Sequence, residues 1–131
     1  LPKSTTTTGR ARADQVTSHV AGVQDGDGTR WWGSVRGDFQ RYRDGAIYAG
    51  HYSGSSEWER HQNGDEIVMA LEGATTVVLL ADGEELRIQL VGGDLVVVPK
   101  GVWHRFEGSS SLKVLSVTPT PTDHSLGRPD A

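Results

Sequence analysis

Thr75-Thr76-Val77-Val78-Leu79-Leu80, Ala81-Asp82-Gly83-Glu84 and Glu85-Leu86-Arg87-Ile88-Gln89-Leu90 run consecutively, and their reading decides the fold class. In the last segment Leu86, Ile88 and Leu90 alternate with Glu85, Arg87 and Gln89, the period-two pattern of a half-buried strand. Asp82-Gly83 between the two segments supplies the positive φ angles of a tight hairpin. Working outward, Asp65–Leu71 reads as a strand closed by Gly73, and Ala46–Ser53 as another, ended by Gly54-Ser55-Ser56. Downstream, Gly92-Gly93 turns the chain into Asp94–Val98, which is apolar on both faces, as expected of a strand inside a sandwich. Pro99-Lys100-Gly101 turns it again, and Trp103–Glu107 and Leu112–Thr118 follow, separated by Gly108–Ser111. Short strands at regular spacing with Gly-rich turns predict an antiparallel sandwich or barrel and not βαβ units.

The chain of 131 residues has room for one domain. The expected organisation is a tail or arm over 1–30, a β-barrel over 31–118 and a Pro-rich extension over 119–131. Residues 3–9 are a Ser/Thr tract, and residues 11–23 fit a short helix or an extended arm equally well. Pro119 and Pro121 lack the donor an interior strand needs. Thirteen Lys and Arg face seventeen Asp and Glu, a net charge of −4, so nucleic acid is not the expected partner. No apolar run reaches membrane-spanning length, so no membrane partner is expected. With no cysteine, a disulfide framework, a thiolate zinc site and a cysteine nucleophile are excluded. No basic segment followed by an apolar stretch opens the chain, and the expected location is cytoplasmic.

The chemistry concentrates in two clusters. The first is Glu59-Arg60-His61-Gln62-Asn63-Gly64-Asp65-Glu66. Residues two apart in a strand share a face, so Glu59 and His61 point together, and the Asn63-Gly64-Asp65 turn folds Glu66 back beside His61. The second is Pro99-Lys100-Gly101-Val102-Trp103-His104, in which the turn delivers His104 to the start of a strand. Two imidazoles with carboxylates, and no soft sulfur, suit a divalent first-row metal ion: Mn, Fe, Zn or Ni.

These residues resemble the two motifs of the cupin superfamily. The first motif runs Gly, five residues, His-x-His, three or four residues, Glu, six residues, Gly; here the run is Glu59-x-His61, four residues, Glu66, six residues, Gly73. The second runs Gly, five residues, Pro-x-Gly, two residues, His, three residues, Asn; here it is Gly93, Pro99-Lys100-Gly101, His104 and Gly108. The resemblance covers roughly residues 46–118. It implies an all-β jelly-roll barrel and ligand roles for His61, Glu66 and His104. Three positions depart from the pattern. Glu59 stands where the first His is usual, Gly54 is one residue closer to it than expected, and Gly108 replaces the Asn. Glu59 is therefore expected either as a fourth ligand or as a catalytic acid/base group beside the metal.

Val68 and Ala70, beyond Glu66, and Phe106, two after His104, are expected to line the same interior. His51 joins the pocket candidates on a strand whose register Gly54-Ser55-Ser56 interrupts. Trp58 and Trp103 are expected to face the other way. Arg41, Arg43 and Tyr48 suit either an acidic substrate or a solvated face. The resemblance implies a small-molecule enzyme of the dioxygenase, isomerase, decarboxylase or cyclase kind, with a non-catalytic ligand-binding or sensing protein as the alternative. Ile67, Met69 and Leu71 alternate with Val68 and Ala70, so the strand is apolar on both faces, and a homodimer covering the outer one is expected.

Overall fold

The computed structural model describes residues 20–24 and 27–130. All regular structure among them is strand: β1 (Val20–Gln24), β2 (Arg30–Gly33), β3 (Val35–Tyr42), β4 (Gly45–Ser56), β5 (Trp58–His61), β6 (Glu66–Ala81), β7 (Glu84–Val91), β8 (Leu95–Val98), β9 (Trp103–Pro119) and β10 (Thr122–Ser125). They form one curled antiparallel sheet, a jelly-roll barrel. The expected hairpin is β6–β7, with Leu80 opposite Glu85 and Ala81 opposite Glu84. Asp82 and Gly83 take φ of 53° and 78°, as a two-residue turn of this hand requires.

Two long strands make the barrel. The first half of β6 pairs with β8 and with the last part of β9, and its second half pairs with β7 and with the first part of β9. Both strands therefore run through two walls. One wall is β3–β4–β9–β6–β8, and the other is β7–β6–β9–β5–β10. The sequence predicts breaks at Gly73 and at Gly108–Ser111, whereas the chain remains in strand and bends there. Register shifts between Ala70 and Thr76 absorb the turn from one wall to the other. At Gly73, φ is +79° and a Cβ would lie 2.1 Å from the Ser111 carbonyl oxygen, so only glycine fits the corner. β4 likewise continues past Gly54, with a bulge between Tyr52 and Gly54.

Between the walls lies the apolar core: Trp31, Val35, Tyr52, Val68, Ala70, Val77, Leu79, Leu90, Val98, Phe106, Leu112 and Val114. Trp31 from β2 stacks on Tyr52 at 4.5 Å and on Phe106 at 5.4 Å between ring centroids. A smaller cluster of Trp58, Val78, Leu80 and Trp103 packs on the other side of its wall. Arg60 lies over the Trp103 ring and Arg105 over that of Trp58, capping this cluster with guanidinium planes. The outer face of β8, expected to be covered by the opposite sheet or by a second chain, is not covered within the single chain. Leu95 and Val97 are 57% and 50% exposed, and beside them Ile67 is exposed as well.

Candidate metal centre

Local strand geometry places the four chemistry-bearing side chains. Glu59 and His61 are two apart on β5 and both point inward. The turn at Asn63-Gly64-Asp65 reverses the chain, and Glu66 opens β6 beside them. A backbone bond from Gly101 N–H to the His61 carbonyl (2.9 Å) and one from Lys100 N–H to Asp65 Oδ1 (2.8 Å) fasten the second turn to the first. His104 then enters on β9 directly opposite Glu59.

All four side chains are buried, His104 completely. One potential donor atom from each lies within 4.8 Å of all the others. His104 Nε2 is 2.9 Å from Glu66 Oε1 and 3.5 Å from Glu59 Oε2, while His61 Nε2 is 3.3 Å from Glu66 Oε1 and 4.0 Å from Glu59 Oε1. The imidazole centroids are 5.2 Å apart. The atoms facing away from the cluster are engaged. Thr29 donates its hydroxyl to Glu59 Oε1 (2.7 Å) and Thr118 to Glu66 Oε2 (2.7 Å). His104 Nδ1 donates to the Val102 carbonyl (2.9 Å), and His61 Nδ1 lies 3.1 Å from Thr122 Oγ1. The inward atoms His61 Nε2, Glu66 Oε1 and His104 Nε2 are buried without a well-formed hydrogen bond. Such atoms are costly unless a proton or a cation serves them. Neutral nitrogens and carboxylate oxygens are the donor set a divalent first-row ion takes, so these residues fit one.

The electrostatics describe a cage short of positive charge. Burial, reinforced by the negative charge of Asp27 and of Glu66, pushes Glu59 up to about 7 although His104 pulls it back. Burial also opposes ionisation of Glu66, but the close imidazoles of His104 (2.9 Å) and His61 (3.3 Å) more than offset it and hold Glu66 well below the usual carboxylate range. Burial opposes the imidazolium forms as well. The nearby carboxylates win, raising His61 (chiefly through Glu66) and raising His104 (through Glu59 and Glu66) well above the ordinary histidine value.

Val68, Ala70 and Phe106 are buried in the barrel core next to the cluster, Val68 following Glu66 and Phe106 following His104 on the inward side. His51 is not with them. Its neighbour Tyr52 is the inward residue, locked by the stack with Trp31, so alternation turns His51 to the exposed face of β4. Arg41 and Arg43 are exposed, and Tyr48 is half-buried against Phe39. His19 lies outside the described residues. His124 sits on β10 with Nδ1 3.4 Å from the buried Glu57. Sequence reasoning passed over Thr29, Thr118 and Thr122. Their partners are 30, 52 and 61 residues away, and a lone threonine in a Thr-rich chain carries no signal of that pairing.

Residues 50–118 match the family model described as the Cupin domain. Over 60 residues the chain is 35% identical to an acireductone dioxygenase of Rhodopseudomonas palustris (strain TIE-1), a match that takes in 46% of this chain and 36% of the relative. The chain thus spans about a third of the length of the curated relatives it matches. Among solved structures it resembles a cupin-2 domain containing protein from Shewanella frigidimarina, with TM-score 0.52 and 25% identity over 61% of this chain and 74% of the other. It also resembles the oxalate decarboxylase of Bacillus subtilis, a protein with Mn(II) centres, with TM-score 0.61 and 16% identity over 69% of this chain and 28% of the other; that likeness concerns the fold.

Proposed function

Because the chain belongs to the cupin family, we propose that it is a metal-dependent enzyme acting on a small organic molecule, with one divalent ion held by Glu59, His61, Glu66 and His104. The observation that carries this reading is the convergence of three buried, unserved donor atoms, His61 Nε2, Glu66 Oε1 and His104 Nε2. An ion there would act as a Lewis acid, polarising an oxygen of the bound molecule. The residues around it do the rest. The core of Trp31, Tyr52 and Phe106 keeps water from one side of the cluster. On the inner face beyond Thr118, the half-buried Ser116, Tyr48 and Phe39 offer hydroxyl and ring surface to a small ligand. Where Glu59 is not the fourth ligand, it stands as the acid/base group beside the metal. Mn, Fe, Zn and Ni all suit the donor set.

Dioxygenase chemistry is the first to examine, since a curated relative matched at 35% identity carries that name. The test is metal analysis of protein purified without a polyhistidine tag, then oxygen uptake with a panel of small enolisable and phenolic compounds. One equivalent of metal with substrate-dependent oxygen uptake supports the reading. Metal without oxygen uptake narrows it to isomerase, decarboxylase or cyclase chemistry. Protein that binds none of the four metals overturns it in favour of a metal-free ligand-binding role.

We further propose a homodimer closed over the outer face of the β3–β4–β9–β6–β8 wall. Two apolar rows cross this face in register, Val97–Ile67–Val117–Ile47 and Leu95–Met69–Leu115–Ala49. A two-row apolar patch is able to pair with a second copy of itself about a two-fold axis. The expected location remains the cytoplasm; among the described residues no helix is long and apolar enough to cross a membrane.

A further inference from the structure

We propose that Thr29 and Thr122, which lie outside the family-matched residues 50–118, act with Thr118 as positioning residues that aim one donor atom each of Glu59, His61 and Glu66 at the metal. The inference rests on the metal-binding reading above. It concerns which atoms bind and what turns them inward.

Each of the four ligands has two possible donor atoms. For His104 the choice is made by the backbone, because a carbonyl only accepts, so Nδ1 carries the proton and Nε2 presents its lone pair. His61 lacks such a carbonyl. Its Nδ1 meets the Thr122 hydroxyl, which accepts the Nδ1 proton when Nε2 is the ligand. For the carboxylates, the Thr29 and Thr118 hydroxyls take Glu59 Oε1 and Glu66 Oε2. That leaves Glu66 Oε1 facing both Nε2 atoms (2.9 and 3.3 Å) and Glu59 Oε2 facing that of His104 (3.5 Å). A carboxylate with one oxygen spent on a hydroxyl binds a cation through the other. The threonines thus hold each glutamate to one metal bond.

Both flanking segments are built to reach this position. Thr29 N–H donates to Asp27 Oδ1 (2.9 Å), and Glu57 accepts from Arg30 N–H (2.7 Å), which fixes the chain as it passes Glu59. Thr122 faces His61 in the β10–β5 register, and Asp123 ties the strands by accepting from Arg60 Nε (2.8 Å) and Gln62 Nε2 (2.6 Å). The family-matched residues carry the ligands with Thr118 and the Val102 carbonyl, and the flanks add Thr29 behind Glu59 and Thr122 behind His61.

The test compares Thr29→Val, Thr118→Val and Thr122→Val, which preserve shape and delete the hydroxyl, with Thr29→Ser, Thr118→Ser and Thr122→Ser, which keep it. The readouts are the Mn2+ dissociation constant by calorimetry and the melting temperature in EDTA. Each valine variant is expected to bind Mn2+ about 10- to 100-fold more weakly, the range for loss of a partner behind a metal ligand. Each serine variant is expected within a few-fold of wild type, with small changes in the EDTA melts. Valine variants that bind Mn2+ as wild type does, or serine variants as weak as valine, overturn the positioning role. Wild-type protein that binds no metal fails the parent reading instead. Should Thr118→Val not fold, Thr122→Val, half-buried on the strand that ends the sheet, decides the matter.

Discussion

The interior of this barrel has two regions, equally dry and opposite in chemistry. Around Trp31, Tyr52, Phe106 and Leu112 the buried side chains are mostly apolar, and the polar ones among them, Ser56, Thr75 and Ser109, are hydrogen-bonded. A step away along the same strands, from Phe106 to His104 on β9 and from Val68 to Glu66 on β6, the inward groups are ionisable and leave three atoms unserved. The first region stabilises the fold through burial. The second opposes it unless protons or a cation intervene. A barrel of this size keeps such a cluster because its apolar region carries the stability.

The contrast is broken most completely by His104→Ala, which removes the deepest ligand. Wild type is expected to hold one divalent ion per chain and the variant none, read by elemental analysis after dialysis. His61→Ala should behave the same way. The reverse experiment is Phe106→Ala in the apolar region. It is expected to cost about 3–5 kcal/mol in denaturant unfolding, the usual loss for a buried aromatic, while the protein that remains folded still binds one ion. Loss of metal without loss of stability in Phe106→Ala would erase the distinction between the regions.

Solution pH sharpens the comparison. The folded state favours protonated Glu59, whose value is raised to about 7 chiefly by burial, so that contribution is present below the usual carboxylate range and lost as pH rises through about 7. The raised His61 and His104 act in the same direction, their contributions also being lost as pH rises through their folded values. Glu66 is lowered, so its contribution is present above its ordinary value and fades only in strong acid. Metal-free protein should therefore melt at lower temperature as pH goes from 5 to 8. Metal-loaded protein should do the opposite, because the ion binds the deprotonated ligands. Parallel melting curves with and without Mn2+ would contradict the metal assignment.

Two smaller effects complete the set. Glu59→Gln keeps shape and hydrogen-bonding capacity but removes the charge. If Glu59 is a ligand, Mn2+ affinity falls at least about tenfold; if it is the acid/base group, metal content holds and only turnover drops. On the outer face, Leu95→Lys with Val97→Lys is expected to halve the mass seen by light scattering at micromolar concentration and to leave metal content unchanged. A wild-type chain that is already monomeric removes the dimer proposal.

Much of this was legible in the chain itself. Alternation of Leu86, Ile88 and Leu90 with polar residues, and Asp82-Gly83 before them, specify an antiparallel hairpin because strand period and turn chemistry are local, and the resemblance to the cupin motifs supplied the barrel. Two-residue alternation and one tight turn bring Glu59, His61 and Glu66 together locally, while the resemblance to the cupin motifs added His104, which reaches them through the β5–β9 pairing. Sequence could not separate a break from a bend. Gly73 reads as a strand end, yet Ser111 packed against it makes it a corner of one continuous strand. Nor could it place His51, whose outward turn follows from Tyr52 stacking on Trp31 across a gap of twenty-one residues. The tertiary structure alone brought Thr29, Thr118 and Thr122 behind Glu59, Glu66 and His61, because a hydroxyl acquires a partner only when distant strands meet.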